Sequence, residues 1–384
     1  MTAPAEKHAS WPRLASASGT LRPTRAEVDL AAVGHNLRTV RRAAGRARVL
    51  AVVKADAYGH GVAPVAAHLQ AQGVDGFGVA LAEEGLELRS AGIHAEILVL
   101  NGVYGGAHGA VLEAGLTPVV YDLADVDAFR RAARGRPYAV HVKVDTGMSR
   151  LGVPHDRLDA FLERLDRMGP VRVEGVMTHL AAADSDDDFT ALQLDRFEGA
   201  LRHMAARGHR PRYVHAANSA ATFRHPGARF EMVRPGLALF GYRSAPDVEA
   251  DLSPAMRLRT EVIALRDLSV GSPVGYNGTF RASRPTRLAT VPVGYGDGLL
   301  RALSNRGEVL VRGRRCPIVG AVSMDLTVID VTDVGGVSVA DEVVLLGSQG
   351  RDRITAEEIA GWAGTIPYEV LTNVSRRVPR FYRT

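Results

Sequence analysis

Lysine is almost missing from this chain: of 47 basic residues only Lys7, Lys54 and Lys143 are lysines, and the others are all arginine. Arginine stays protonated and cannot act as an amine nucleophile. A sequence that meets every ordinary need for positive charge with arginine therefore leaves Lys54 and Lys143 as candidates for amine chemistry. The plainer alternative for each is an apolar stem reaching from a strand end to solvent. Cysteine is scarcer still, since Cys316 stands alone; this excludes an internal disulfide and fits a reducing compartment. No run approaches the roughly 18 apolar residues of a membrane span, and residues 1–20 lack the apolar core of a secretory signal. A cytoplasmic protein with no membrane partner is expected.

The composition is otherwise that of an ordinary globular protein of 384 residues, 46% hydrophobic and 23% charged, enough for two domains. The net charge of +5 is spread along the chain with no basic block interleaved with aromatics, so nucleic acid is not the expected partner. After a polar tail (residues 1–22), short β-branched runs alternate with amphipathic stretches. Eight strands are predicted at 49–53, 76–80, 97–100, 117–120, 139–144, 171–176, 213–216 and 230–233, with helices such as 81–91, 154–168 and 192–207 between them. The pattern predicts an α/β fold with an N-terminal (β/α)8 barrel over residues 23–253. An open doubly wound sheet would ask for a Gly-x-Gly-x-x-Gly turn after the first strand, which runs instead into Lys54. From 254 to 384 the texture becomes closely spaced β runs (258–265, 286–293, 308–311, 316–319, 326–331, 342–346) with one helical pattern at 356–363, which predicts a second, mainly β domain. The acidic run 184–188 reads as a solvated loop.

Catalytic side chains of such barrels gather at the carboxyl ends of the strands. There the sequence puts Lys54 after strand one, His179 after strand six, Asn218 and Ser219 after strand seven, and Arg234 and Gly236 after strand eight. Singly, these could be a rim histidine, a helix cap and a turn. Together they offer an amine for an aldehyde, a partner for a ring nitrogen and donors for a phosphate, and pyridoxal phosphate is the economical cofactor.

The run Val53-Lys54-Ala55-Asp56-Ala57-Tyr58-Gly59-His60-Gly61 resembles the cofactor-lysine motif of alanine racemases. The resemblance extends from Arg22 over nearly the whole chain, through KVDTGMSRLG (143–152), Thr178-His179, His215 to Ser219, Arg234 to Gly236, Val274 to Tyr276, Gly294 to Gly298, Ser323-Met324-Asp325 and Pro367 to Val370. It implies a homodimer with composite active sites that interconverts L-alanine and D-alanine. Lys54 would hold the cofactor and serve one face of the substrate, and Tyr276 of the partner subunit would serve the other, because racemisation removes a proton on one side and returns one on the opposite side. Arg234 would face the pyridine nitrogen, with His179 linking it to the tyrosine. Tyr58, Ser219, Gly236, Leu237 and Tyr368 look like phosphate donors, with Asn218 also at the cofactor. Arg150 would bind substrate, oriented by a carbamylated Lys143. Met324, Tyr295 and Asp325 would line the pocket and its entrance from the partner, and Asp184 and Arg301 match entrance positions. No metal is implied.

The chain departs from the commonest pattern at Ala321, where an arginine is usual, at Ser323, and at Asn277, which replaces a more usual glycine. These changes leave the reaction type untouched but leave open a racemase of broader range that takes serine, lysine or arginine; a racemase-like protein that sequesters an inhibitor is a separate alternative. A decarboxylase sharing the domain plan is expected to carry a carboxylate where Arg234 stands.

Overall fold

In a computed structural model, described over residues 21–169, 171–245 and 247–384, all eight predicted barrel strands form, and they run parallel. They are Arg48–Val52, Gly76–Val79, Glu96–Val99, Thr117–Val120, Tyr138–Asp145, Val171–Met177, Tyr213–His215 and Met232–Val233. Each of the first six pairs with the next, and the eighth returns to the first through Met232 beside Arg48 and Val233 beside Val49. Between strands seven and eight, backbone bonds from Glu231 N to Val214 O and from Arg234 N to Ala217 O close the ring. The strands are near-continuous apolar runs because parallel barrel strands are covered on both sides, by helices outside and side chains within. Leu50, Leu98, Val119, Met177, Tyr213 and Met232, from six different strands, form their own buried cluster and fill the interior. Gly78 on the second strand makes room for it: a Cβ there would come within 3.0 Å of Leu100 and 3.3 Å of Leu50. The expected polar tail falls mostly on residues 1–20, which lie outside the described residues.

The second half is sheet-rich, as expected, but its connections differ from the sequence reading. Residues 258–265 are not one strand. Met256–Glu261 enters a large mixed sheet, antiparallel to Glu342–Gln349, and after a break at Val262 and Ile263, Ala264–Leu268 enters a three-stranded sheet with Thr286–Val291 and Thr327–Asp330. A second helix, Pro367–Thr372, follows Ala356–Ala363. The strand Arg25–Asp29 has no counterpart among the predicted elements. It is inserted between Met256–Glu261 and the C-terminal strand Arg380–Arg383, so the start of the described chain is stitched to its end. Its Asp29 then caps the helix Leu30–Ala44, which leads into the barrel. Among the described residues, no helix is long and apolar enough to cross a membrane.

Candidate active site

The first barrel strand ends at Val52, whose N–H is taken by the carbonyl of Pro235, so the loop after strand eight is drawn against the loop after strand one. The chain then enters a left-handed turn. Ala55, Asp56, Ala57 and Tyr58 all have φ between 53° and 55°, a conformation that costs an L-residue roughly 1–2 kcal/mol each. Such strain persists only where the surroundings over-determine it. Here Ala57 N bonds to Val53 O, Gly59 N to Ala55 O and Gly61 N to Asp56 O. The carboxylate of Glu84 accepts from Ala55 N at 2.7 Å, and that of Asp56 accepts from Val62 N at 2.6 Å.

This turn sets Lys54 on the wall of a cavity of about 130 Å³ that also gathers Tyr58, Lys143, Arg150, His179, Asn218, Ser219, Arg234, Gly236, Leu237 and Tyr368, with Val52, Leu100, Asn101 and Met177 completing the lining. Lys143 is only 4% exposed, which removes the reading of a stem that reaches solvent, and it makes no salt bridge with Asp145 among the described residues. The Asp145 carboxylate is instead engaged by the backbone N–H groups of Gly147 and Ser149. A hollow of about 810 Å³ lies elsewhere, between Tyr121 and Met168, but its charges are a mixture of Asp122, Asp127, Arg164 and Arg167.

Four cations line the cavity, and no carboxylate among the described residues does. Burial lowers the Lys54 amine from its ordinary range, with the Arg150 charge adding to the effect and Glu84 opposing it. Burial, followed by repulsion from Arg234, Arg150 and Lys54, brings Lys143 down to about 8. Even Arg234, 4% exposed, is pulled down to about 9 by desolvation. Its partners are all neutral: Thr178 O at 2.7 Å, Ala216 O at 3.0 Å, His215 Nδ1 at 3.1 Å and His179 Nδ1 at 3.4 Å.

The phosphate-type donors cluster together at the loops after strands one, seven and eight. Ser219 Oγ accepts from Gly236 N at 2.9 Å and Ala238 N at 3.3 Å, which leaves its own proton to give. A Cβ at Gly236 would collide with the Tyr58 hydroxyl, so only glycine lets that phenol reach the loop. The Tyr58 and Tyr368 rings lie 6.0 Å apart. Asn218 caps the helix Ser219–Arg224 through Ala221 N while it lines the cavity.

Tyr276, Tyr295, Met324 and Asp325 are not brought to this cavity within the chain. All four are exposed on the second domain, Tyr276 by 71%. Tyr276 sits at the tip of the hairpin formed by Pro273–Val274 and Phe280–Arg281. Tyr295 and Met324 share a ledge, because Tyr295 N bonds to Ser323 O and Gly296 N to Met324 O, and Asp325 is paired with Arg377 at 2.7 Å. Asp184 and Arg301 are exposed as well.

Sequence reasoning passed over Glu84, whose position in the first turn of the helix Ala82–Ser90 was the available signal. It also missed His141, which touches His215 at 2.8 Å beneath Arg234. Nothing in a run of alternating strand residues marks that histidine.

A parallel barrel whose strand ends gather buried amines, guanidinium groups and hydroxyl and backbone N–H donors, followed by a β domain, defines an α/β-barrel protein with a site suited to an anionic group. The comparisons narrow this class. Residues 28–244 match the alanine racemase N-terminal domain and residues 255–382 the alanine racemase C-terminal domain. The chain is 50% identical over 378 residues to an alanine racemase of Sorangium cellulosum, spanning 94% of this chain and 100% of that one, and 48% identical to one of Symbiobacterium thermophilum, spanning 94% and 97%. Among solved structures it resembles alanine racemase from the D-cycloserine-producing Streptomyces lavendulae (TM-score 0.91, 36% identity, 95% of this chain and 98% of that one). It also resembles alanine racemase from Bacillus anthracis with bound L-Ala-P (TM-score 0.90, 36% identity, 96% of each). The chain belongs to the alanine racemase family, whose members are isomerases.

Proposed function

We propose that this protein interconverts L-alanine and D-alanine in the cytoplasm, as a homodimer with composite active sites, using pyridoxal phosphate. The observation that carries the cofactor is the uncompensated charge of the cavity: Lys54, Lys143, Arg150 and Arg234 converge with no lining carboxylate among the described residues, an arrangement that calls for an anionic guest. The group's aldehyde suits a desolvated lysine, and its phosphate suits the Ser219, Gly236 and Tyr58 cluster. When bound, the cofactor supplies the electron sink that makes the substrate α-proton acidic.

The division of labour follows the two halves of the chain, the barrel domain (residues 23–253) holding the cofactor and the β domain (254–384) completing the partner's site. Lys54 takes or returns a proton on one face, helped by burial that favours its neutral amine. Tyr276 of the partner subunit serves the other face, as its exposed hairpin position allows. Because a guanidinium only donates, His179 Nδ1 must accept from Arg234, so a neutral His179 carries its proton on Nε2 and offers it to that phenol, stabilising the phenolate. Arg234 also presents a fixed cation to the ring nitrogen, which limits how far the ring drains charge and disfavours side reactions. Tyr58, Ser219, Gly236, Leu237 and Tyr368 hold the phosphate, and Asn218 fixes the helix start beside it. Lys143, neutral in part near pH 8, adds carbon dioxide at its amine and loses a proton, and the resulting carbamate orients Arg150 toward the substrate carboxylate. The partner's Tyr295, Met324 and Asp325 bound a small pocket.

Two measurements test this reading: the visible absorbance of the purified protein, and chiral analysis after incubation with L-alanine, L-serine or L-lysine. A yellow protein that racemises alanine fastest is expected. A colourless protein refutes the cofactor assignment, and equal turnover of lysine refutes the substrate assignment.

A further inference from the structure

The strained turn after Lys54 is held from the far end of the chain. Arg380, on the C-terminal strand Arg380–Arg383, gives two hydrogen bonds to the carbonyl of Gly59, from Nε at 3.1 Å and from a terminal nitrogen at 2.9 Å. Its remaining donors go to Val374 O at 2.5 Å, Ser375 O at 2.6 Å and Val378 O at 2.7 Å. All five N–H groups of the guanidinium are thus engaged by carbonyl oxygens, three of them on the segment that leads out of the helix Pro367–Thr372. That helix also presses on the turn, since a Cβ at Gly59 would collide with Leu371 O, and a Cβ at Gly61 would collide with the hydroxyl of Tyr382, two residues after Arg380.

The turn has four consecutive L-residues at positive φ, and within the barrel domain it is restrained by its own backbone bonds and by the carboxylates of Glu84 and Asp56, which hold its start and its exit. The bonds from Arg380 to Gly59 O are the ones that tie the end of the turn to the second domain. We infer that Arg380 is a positioning residue for Lys54: by clamping Gly59 to the second domain it keeps the left-handed turn wound and so fixes the direction from which the amine enters the cavity. A planar five-donor fork is what the task needs, because a lysine offers three donors from a single point and cannot span Gly59 and the 374–378 carbonyls together. The inference rests on the proposed function only in taking Lys54 as the cofactor's anchor.

The test compares wild type, Arg380→Lys and Arg380→Met by peptide-resolved amide hydrogen exchange on the purified dimer, with Arg351→Met as a control for loss of an exposed arginine. Exchange over residues 55–61 is expected to rise by roughly tenfold or more in both Arg380 variants, with the barrel strands 96–99 and 117–120 unchanged. In steady state, kcat is expected to fall by about tenfold or more, with a smaller change in the KM for alanine, because a misdirected amine loses alignment before it loses substrate contacts. Wild-type exchange over 55–61 in Arg380→Met would overturn the inference, as would a rise no greater than that of the barrel strands, which would mark Arg380 as a general stabiliser. Borohydride reduction of the wild-type protein with peptide mapping separates the two proposals. An adduct away from Lys54 removes the functional reading, while the exchange comparison still judges the clamp.

Discussion

Arg234 and His215 are joined at 3.1 Å, guanidinium to Nδ1, in a buried place where no carboxylate among the described residues pairs with the arginine. The contact sets the direction of a whole chain of protons. A guanidinium has donors only, so His215 Nδ1 accepts, and its proton must sit on Nε2 and point to His141 Nδ1 at 2.8 Å. His141 in turn keeps its proton on Nε2, which is buried without a hydrogen-bond partner among the described residues. Both rings are neutral, His141 down to about 3 and His215 well below its ordinary value, each first because of burial and next because of Arg234. A protonated histidine here would both stack charge on Arg234 and remove its acceptor. Replacing His215 by Phe should therefore leave an arginine N–H unpaired in the interior and destabilise the fold by about 1–3 kcal/mol, read as a lower midpoint in urea. An unchanged midpoint would mean that Arg234 does not depend on this acceptor.

The same histidines make stability sensitive to acid. The folded-state value of His141 lies below that of the unfolded chain, so between about pH 6.5 and pH 3 the unfolded chain binds a proton that the folded one does not. This contribution to stability is complete above about pH 6.5 and is lost as pH falls through that window. His60, down to about 4 through burial, adds in the same direction. Unfolding free energies at several pH values should show a slope that His141→Leu reduces; an identical slope in the variant would place the acid sensitivity elsewhere.

If the sites are composite, complementation will show it. Lys54→Ala should lack visible absorbance, while Tyr276→Phe should retain it and lose about 10²–10⁴-fold in conversion. Unfolding and refolding the two inactive variants together should restore roughly a quarter of the sites, since about half the dimers are mixed and each mixed dimer has one site with both residues intact. Lysine and tyrosine acting within one subunit would give no recovery at all.

The barrel was legible because buried parallel strands must be apolar throughout, and those runs stand out between amphipathic helices. The rim residues Lys54, His179, Ser219 and Arg234 were legible because each follows closely on its strand. The strand Arg25–Asp29 was not, for its partners lie more than 200 residues away and its own pattern is a brief alternation of Ala26 and Val28 with charged residues. Arg380 was hidden among the many arginines, and only the contact with Gly59 sets it apart. His141 was hidden for a similar reason: its environment is set by Gly175 on the neighbouring strand, where a Cβ would overlap the imidazole ring.

Asn277, where the family resemblance leads one to expect glycine, has a backbone conformation that either residue can adopt. It sits at φ 60°, ψ 7°, between Gly275 and Gly278, which are also at positive φ. Glycine is free in that region, and asparagine is among the side chains that tolerate it best, whereas a β-branched residue does not. The position follows Tyr276 directly, so any relaxation of the hairpin tip moves the phenol. Asn277→Gly should therefore change alanine turnover and stability little. Asn277→Val should cost about 1–2 kcal/mol or unwind the tip, lowering kcat while the visible absorbance of the cofactor on Lys54 persists. Full activity in Asn277→Val, with unaltered stability, would show that the tip conformation matters neither to the fold nor to the placement of Tyr276.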